Sequence, residues 1–250
     1  MRFFSIIQRK LRGIVKDLES ALNQAEVMPS CMERLQNMKN CGFDPKVIFD
    51  CGASVGYWSW EVAKLFPGCQ LAAIEPNELI IPKTKELLNK MAVKPIIEQC
   101  AIGSENGTAF LNVWDNPETS MGGSSLKTHV QGDPAQKLEV KLKKLDTISD
   151  EHNIQPDLIK LDLQGYELEA LRGATQLLTS TEAFIIEFGC LPAYEERTTP
   201  YDLFSIMYDN DYCLYDIIDL IYRPFDNALT GGDFFFVKND SDLKAYKGYN

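Results

Sequence analysis

Four acidic residues follow runs of apolar residues, and carboxylates in such places can carry out chemistry. They are Asp50, Glu75, Asp162 and Glu187. Short apolar runs bounded by polar residues are typical of buried strands. A carboxylate can accept a proton, bind hydroxyl groups or hold a cation. Because parallel sheets bind ligands beyond the carboxyl ends of their strands, we expect these acids to surround one ligand site.

The turn after Asp50 reads C-G-A-S-V-G and contains Gly52 and Gly56. Glycine lets the backbone approach a ligand without a Cβ in the way, and the helix that follows offers free N–H groups. A dinucleotide-binding turn requires G-x-G-x-x-G, but Ser54 stands where the second glycine is needed. A P-loop requires Gly-Lys-Ser or Gly-Lys-Thr, which does not follow. The spacing therefore disfavours both phosphate-binding turns.

S-adenosylmethionine fits the same turn better, because it carries no phosphate and its sulfur is cationic. Asp50 suits the amine and the positive charge of such a ligand. Glu75, after the second strand, suits the two ribose hydroxyls, since one carboxylate offers two acceptor oxygens. A dehydrogenase also uses an acid at this second place, so Glu75 alone does not discriminate. A plain structural turn is the alternative to a cofactor site.

A second group of charged residues belongs to the strand that reads I-K-L-D. Alternation along a strand places Lys160 and Asp162 on one face. Glu187 follows the next strand, and neighbouring strands lie about 4.8 Å apart. Glu167 begins the next predicted helix and can face the same cleft. We therefore expect three carboxylates and one lysine to converge at a single point.

Two roles are open for these carboxylates. One of them can take the proton from a substrate hydroxyl, helped by like charges that raise its pKa. Alternatively, Asp162 and Glu187 bind Mg²⁺, which orients and acidifies a diol. We favour the version without a metal. Structural roles remain as well, because Glu167 can favour a helix N-terminus and Lys160 can form an ion pair with Asp162.

A polar loop over residues 115–137 interrupts the alternation of strands and helices. Long loops in compact domains are often functional lids. Ser124 and Ser125 can hydrogen-bond a hydroxylated substrate, and His129 is a candidate general base. Tyr194, after the strand that ends at Glu187, is a further candidate for lining the substrate pocket.

Strands and helices alternate along most of the chain, which predicts a parallel sheet with helices on both faces. The last two strands are separated only by a loop, so we expect them to pair antiparallel at the edge. The predicted strands cover residues 47–49, 70–74, 95–100, 108–113, 138–142, 157–161, 183–186, 213–218 and 234–237. The predicted helices cover residues 1–24, 29–40, 57–66, 78–91, 168–178 and 201–209.

Composition narrows the classes of partner. A net charge of −11 disfavours nucleic acid and anionic membranes, whose affinity for proteins comes largely from Lys and Arg. Seven scattered cysteines without C-x-x-C, and only two histidines, argue against a structural zinc site. Reduced thiols in a cytoplasmic protein are the simplest interpretation. No apolar run reaches the length of a membrane span.

The first residues form an amphipathic and basic segment. Apolar residues recur at helical spacing from Phe4 to Leu18, among several Arg and Lys residues. We expect an accessory helix that packs on its own domain or on a second copy, as in a homodimer. Binding to a membrane surface is the alternative.

Several blocks of the sequence resemble the FkbM-type methyltransferases. In chain order they read G-F-D-P-K-V-I-F-D-C-G-A-S-V-G-Y-W-S, A-I-G, G-G-S-S-L, I-K-L-D-L-Q-G-Y-E-L-E-A-L-R-G-A and I-I-E-F. The block with Lys-x-Asp-x-x-Gly-x-Glu is the most specific, and the resemblance covers roughly residues 35–240. It implies S-adenosylmethionine-dependent enzymes that mostly methylate hydroxyls of sugars, glycans, polyketides and related natural products.

The resemblance also implies roles for individual residues. The turn after the first strand holds the methionine end of the cofactor, the second strand end holds the ribose, and a later segment flanks the adenine. Asp162 lies beside the transferable methyl group. The cofactor residues so implied are Asp50, Gly52, Ala53, Ser54, Gly56, Glu75, Pro76, Cys100, Ala101, Ile102 and Asp162.

The expected fold is α/β, a class I methyltransferase Rossmann-like fold. Its sheet has seven mostly parallel strands with an antiparallel edge strand and helices on both faces. A helical extension covers residues 1–40 and the methyltransferase domain residues 41–250. The expected function is methylation of a hydroxyl on a small-molecule or glycan acceptor. The alternatives are a non-catalytic nucleoside-binding module and a nucleotide-dependent oxidoreductase.

Overall fold

A computed structural model describes residues 30–113, 124–128, 134, 136–191 and 198–245. The predicted helix over 1–24, most of the polar loop, His129 and Tyr194 lie outside these residues. None of the helices within the described ranges is long and apolar enough to cross a membrane.

The elements alternate as the sequence predicts, with extra strands between residues 100 and 145. The helices are α1 Cys31–Asn40, α2 Tyr57–Leu65, α3 Ile81–Leu88, α4 Leu145–His152, α5 Glu167–Arg172, α6 Leu177–Ser180 and α7 Pro200–Asp209. The strands are β1 Val47–Cys51, β2 Gln70–Ile74, β3 Ile96–Glu98, β4 Ala101–Ile102, β5 Gly107–Val113, β6 Ser124–Ser125, β7 Gln136–Lys143, β8 Leu158–Leu161, β9 Ala183–Gly189, β10 Tyr212–Tyr222 and β11 Leu229–Lys238. A short 3-10 helix, Asp242–Lys244, follows β11.

The main sheet has seven strands in the order β10-β11-β9-β8-β1-β2-β3. The five strands from β9 to β3 are parallel, and β11 runs antiparallel to both of its neighbours. The prediction of seven mostly parallel strands is confirmed. The antiparallel strand lies one place in from the edge, because β10 pairs on its outer side. Strand order reverses between β1 and β8, which is where such sheets bind ligands.

Apolar side chains cover both faces of this sheet. On one face Phe49, Ile159 and Phe184 belong to a core that also includes residues of α4 to α7. The residues next to them in sequence, such as Ile48 and Leu158, point the other way and pack with α1, α2 and α3. This alternation explains why the parallel strands are apolar throughout rather than at every second position.

A second sheet and two helices were not foreseen. The stretch after β3 forms a four-stranded sheet in the order β4-β7-β5-β6, and α4 follows it. The single helix predicted over 168–178 is two helices. Asp146 of α4 separates them, because its carboxylate accepts the N–H groups of Gln176 and Leu177 (3.0 and 3.1 Å) at the start of α6.

Candidate active site

The turns after β1 and β8 touch each other through their backbones. Gly52 has a φ of 83°, and a Cβ there would lie 1.9 Å from the carbonyl oxygen of Asp162. The N–H of Asp162 donates to the carbonyl of Cys51 (3.0 Å). Gly56, with a φ of 89°, approaches the side chain of Leu88 instead. Glycine is therefore required at residue 52 by a neighbouring turn and at residue 56 by helix packing.

A cavity that opens to solvent lies beyond these turns. Eight of the predicted cofactor residues lie in its wall: Gly52, Ser54, Glu75, Pro76, Cys100, Ala101, Ile102 and Asp162. Ser124 and Ser125 of β6 also line it, as do Gln164 and Tyr166.

Glu75 is held in the cavity wall by backbone donors. Its Oε2 accepts the N–H of Ser54 and its Oε1 accepts the N–H of Asn77, both at 2.8 Å. Burial raises the pKa of Glu75 to about 7, although these hydrogen bonds oppose the rise. A carboxylate offers about four lone-pair sites. Each oxygen therefore retains acceptor capacity for a further donor, which is what a ribose diol would need.

Asp50 does not line the cavity, in contrast to the prediction. Its side chain is completely buried on the α2 side of the sheet, where its Oδ2 accepts the hydroxyl of Ser59 (2.6 Å). Within the described part of the chain, its Oδ1 has no hydrogen-bond partner. Burial raises the pKa of Asp50, and the nearby Lys160 ammonium opposes the rise. The structure places this acid behind the cavity, and Ala53 is buried in the same core.

Asp162 lies at the centre of the site, between a lysine and an amide. Its Oδ2 accepts from Lys160 Nζ (2.7 Å) and its Oδ1 from Gln164 Nε2 (2.9 Å). Burial tends to raise the pKa of Asp162, but the Lys160 ammonium and these hydrogen bonds outweigh it, so the pKa is lowered. Its side chain is 36% exposed, whereas Lys160 is buried. Asp162 is therefore an ionised group at the cavity wall.

Glu187 of β9 converges on Asp162, as the sequence predicts. Gln164 Nε2 lies 3.2 and 3.1 Å from its two oxygens. A hydrogen bond from Glu187 to Asp162 contributes to the lowered pKa of Asp162. Burial and then the charges of Asp162, Glu167 and Asp233 raise the pKa of Glu187 well above its usual value. The two carboxyl groups therefore differ in their affinity for a proton.

Asp233 joins this cluster and was missed by the sequence reasoning. It is the register partner of Glu187 across β9 and β11. Burial raises its pKa to about 6, and the negative charge of Asp162 adds to the rise. The available signal was its place directly before F-F-F, but the predicted strand began one residue later, at 234. The pairing of β11 with β9, rather than the motif, brings it here.

Glu167 shapes the turn after β8 and does not line the cavity. Its Oε1 accepts the N–H groups of Leu163 (2.8 Å) and Gly165 (3.1 Å). Burial raises the pKa of Glu167 to about 7. The turn contains two left-handed residues, Gln164 with a φ of 53° and Gly165 with a φ of 95°. Glu167 is therefore placed to orient the backbone rather than to contact a ligand.

The two serines of β6 connect the second sheet to this turn. Ser125 Oγ donates to the carbonyl of Gln164 (2.8 Å) and accepts the N–H of Lys127 (3.0 Å). Ser124 Oγ accepts from Asn77 Nδ2 at 3.3 Å. Both serines lie in the cavity wall, and both already have protein partners.

The magnesium alternative gains no support from the geometry. Across the described ranges, no group of three or more His, Cys, Asp and Glu residues is placed to hold a metal ion. Between Asp162 and Glu187 the structure places the amide of Gln164, whose N–H groups are donors and cannot ligate a cation.

The sequence matches a model of the methyltransferase FkbM domain over residues 50–215. No curated protein matches the chain. Among solved structures, it is similar to magnesium protoporphyrin IX methyltransferase from Synechocystis with bound SAM, at 13% identity over 83% of this chain and 77% of that chain, with a TM-score of 0.48. It is also similar to precorrin-6y C5,15-methyltransferase from Geobacter metallireducens, at 12% identity over 85% of this chain and 90% of that chain, with a TM-score of 0.44. A third similar structure is a 1,6-didemethyltoxoflavin-N1-methyltransferase from Burkholderia thailandensis, at 12% identity over 96% of this chain and 90% of that chain, with a TM-score of 0.45.

Proposed function

Because the chain belongs to the FkbM methyltransferase family, we propose that it uses S-adenosylmethionine to methylate a hydroxyl of a sugar, a glycan or a related natural product. The observation that carries the proposal is Glu75. A buried carboxylate, oriented by two backbone N–H groups, faces the cavity at the end of β2. A ligand with two neighbouring hydroxyls fits such an acceptor pair.

The cavity wall supplies the other contacts that this cofactor would need. Cys100, Ala101 and Ile102 form an apolar part of the wall, which suits an adenine ring. Gly52 brings backbone close to the methionine end, and the ionised Asp162 places negative charge near the cationic sulfur. With Asp50 behind the wall, Asp162 is the acid of this pair that suits the positive end of the ligand.

S-adenosylmethionine supplies a methyl group on a positively charged sulfur, which an acceptor oxygen attacks in line. The chain contributes chiefly by holding the acceptor hydroxyl at close range and in the right direction. Ser124 and Ser125 form the acceptor side of the wall in this proposal, as the sequence predicts.

The proton released by the hydroxyl passes to the carboxylate pair. We assign it to the ionised form of Glu187, which becomes populated as the pH rises through its raised pKa and is then a stronger base than Asp162, which stays ionised beside Lys160. The hydroxyl oxygen would gain its bond to the methyl carbon as the bond between that carbon and the sulfur breaks. S-adenosylhomocysteine would leave, and the Glu187 carboxylate would hold the proton. Lys160 takes no proton in this step, since its neighbours raise its pKa despite its burial.

Two measurements test this function. Calorimetry should show binding of S-adenosylhomocysteine and none of NAD. Purified protein with methyl-labelled S-adenosylmethionine should then transfer label to at least one member of a panel of sugars, glycosides and glycans. Binding of NAD instead would favour an oxidoreductase. Cofactor binding without transfer to any acceptor in the panel would favour the non-catalytic alternative.

A further inference from the structure

Gln164 occupies a backbone conformation that glutamine rarely adopts, and its surroundings fix it there. Its φ is 53°. The N–H groups on either side of it, from Leu163 and Gly165, are both bound by Glu167. Its own carbonyl accepts the hydroxyl of Ser125, which is buried. Strained residues persist where the surroundings over-determine them, and such residues cluster at functional sites.

The side chain held in this way reaches two carboxylates at once. Gln164 Nε2 lies 2.9 Å from Asp162 Oδ1, and 3.2 and 3.1 Å from Glu187 Oε1 and Oε2. An amide nitrogen has two N–H donors, so it can serve both partners together. It carries no charge and does not titrate, so it can bridge two acids without changing state itself.

We propose that Gln164 is a positioning residue, whose amide ties Glu187 to Asp162 and thereby keeps Glu187 available as the acceptor of the substrate proton. This rests on the proposed function, because only a reaction that releases a proton needs such an acceptor.

The charged groups near the Gln164 amide explain why Glu187 depends on this amide more than Asp162 does. Lys160 belongs to β8 and Asp162 to the turn after it, and the other charged groups are Glu187 of β9, Asp233 of β11 and Glu167 of α5. Lys160 hydrogen-bonds Asp162, and its positive charge lowers the pKa of Glu187 less than burial and the charges of Asp162, Glu167 and Asp233 raise it. Asp162 thus keeps an ionic partner without the amide. Glu187 would lose a donor that stabilises its ionised form, and would hold its proton to a higher pH.

Variants at residue 164 separate this role from a merely structural one. In Gln164→Leu the donors are lost, and the midpoint of Glu187 titration should rise by roughly one pH unit. Gln164→Glu adds a third carboxylate at nearly constant shape, so the rise should be larger. Gln164→Asn keeps an amide on a residue that tolerates left-handed backbone, but with a shorter reach, and should fall between wild type and Gln164→Leu.

The readout is the carboxyl carbon resonance of Glu187 in a pH titration by NMR, assigned by its loss in Glu187→Gln. A matched control is Gln155→Glu, which makes the same charge change at an exposed glutamine that donates to Ser180. The control midpoint should stay at the wild-type value. Equal midpoints in wild type, Gln164→Leu and Gln164→Glu, all of them folded by circular dichroism, would overturn the proposal.

Once an acceptor is found, turnover gives a second readout. In Gln164→Leu the pH at which kcat reaches half its maximum should rise with the Glu187 midpoint, and KM for the cofactor should change less than kcat. The titration itself needs neither cofactor nor acceptor. A protein that fails to bind S-adenosylhomocysteine yet shows the midpoint shift would therefore refute the proposed function and leave the link between Gln164 and Glu187 intact.

Discussion

The two halves of the site are built by different means. On the half proposed to hold the cofactor, at the ends of β1 and β2, the carboxylate Glu75 is held by backbone N–H groups. On the half proposed to hold the acceptor, just after β8 and within β9 and β11, side chains hold one another. There Asp162 is bound by Lys160 and Gln164, and Glu187 by the same Gln164.

The two halves differ in how sensitive they are to side-chain substitutions. A backbone donor is present whatever side chain its residue carries, so the two hydrogen bonds to Glu75 do not depend on the side chains of Ser54 and Asn77. A side-chain network depends on every member, because each supplies a charge or a donor that no other replaces. Carboxylates also concentrate in this second half, and burial together with their mutual repulsion raises the pKa values of Glu187 and Asp233.

The largest effect should come from the point where the halves touch. In Gly52→Ala the new Cβ would lie 1.9 Å from the carbonyl oxygen of Asp162 at a φ of 83°, so we expect about 3 kcal/mol or more to be lost from the free energy of unfolding. Urea denaturation measures it. The matched control is Gly68→Ala, with a φ of 94° and no described atom within 4 Å of the new Cβ. That variant carries only the backbone strain, about 1–2 kcal/mol. Equal losses would mean that the contact between the turns is unimportant.

The next effect separates turnover from affinity. Asp162→Asn removes the negative charge beside the reacting centre but keeps the shape, so turnover should fall about a hundredfold while binding of S-adenosylhomocysteine changes far less. Methyl transfer and calorimetry measure the two quantities. The exposed Asp150→Asn should leave both unchanged. Wild-type turnover in Asp162→Asn would remove this residue from the mechanism.

The converse pattern is expected on the cofactor half. Glu75→Ala leaves a ribose diol without its acceptors, and should weaken binding of S-adenosylhomocysteine by about 1–3 kcal/mol. Calorimetry checks it against Glu78→Ala, an exposed acid three residues further along the chain. If both variants bind as tightly as wild type, the ribose is not held at Glu75.

The smallest effect tests the pH dependence of the turn after β8. Burial raises the pKa of Glu167 from 4.5 to about 7, so its contribution to stability is full below pH 4.5 and is lost as the pH rises through 7. Gln at this position can still accept both N–H groups and does not titrate. As the pH rises from 4.5 to 7, the free energy of unfolding of the wild type should fall by of the order of 2 kcal/mol more than that of Glu167→Gln. Parallel stability curves from chemical denaturation would contradict this.

Periodicity and glycine placement were enough to predict the parallel sheet. They located β1, β2, α2 and α7 to within two residues, because buried parallel strands and amphipathic helices carry strong local signals. The second sheet was missed since it is made by pairing distant strands, and α4 lacked a clear apolar repeat. The break between α5 and α6 depends on Asp146, a cap supplied from another helix.

Among the site residues, too, those located by local patterns could be predicted and those located by long-range strand pairing could not. Glu75, Ser54 and residues 100–102 lie together in the cavity wall because strand ends and turns determine their position, and their role in holding a cofactor stays a prediction. Asp50 was not, since a motif states that an acid ends a strand but not which face its side chain takes. Gln164 and Asp233 were overlooked because their roles arise from neighbours on β9 and β11. Long-range pairing is the information that a local pattern lacks.

The backbone contact between Gly52 and Asp162 has a consequence for anyone who would redesign this protein. Two loops that meet without intervening side chains move as one piece, so remodelling the loop at 162–167 to accept a new substrate would disturb the proposed nucleoside pocket as well.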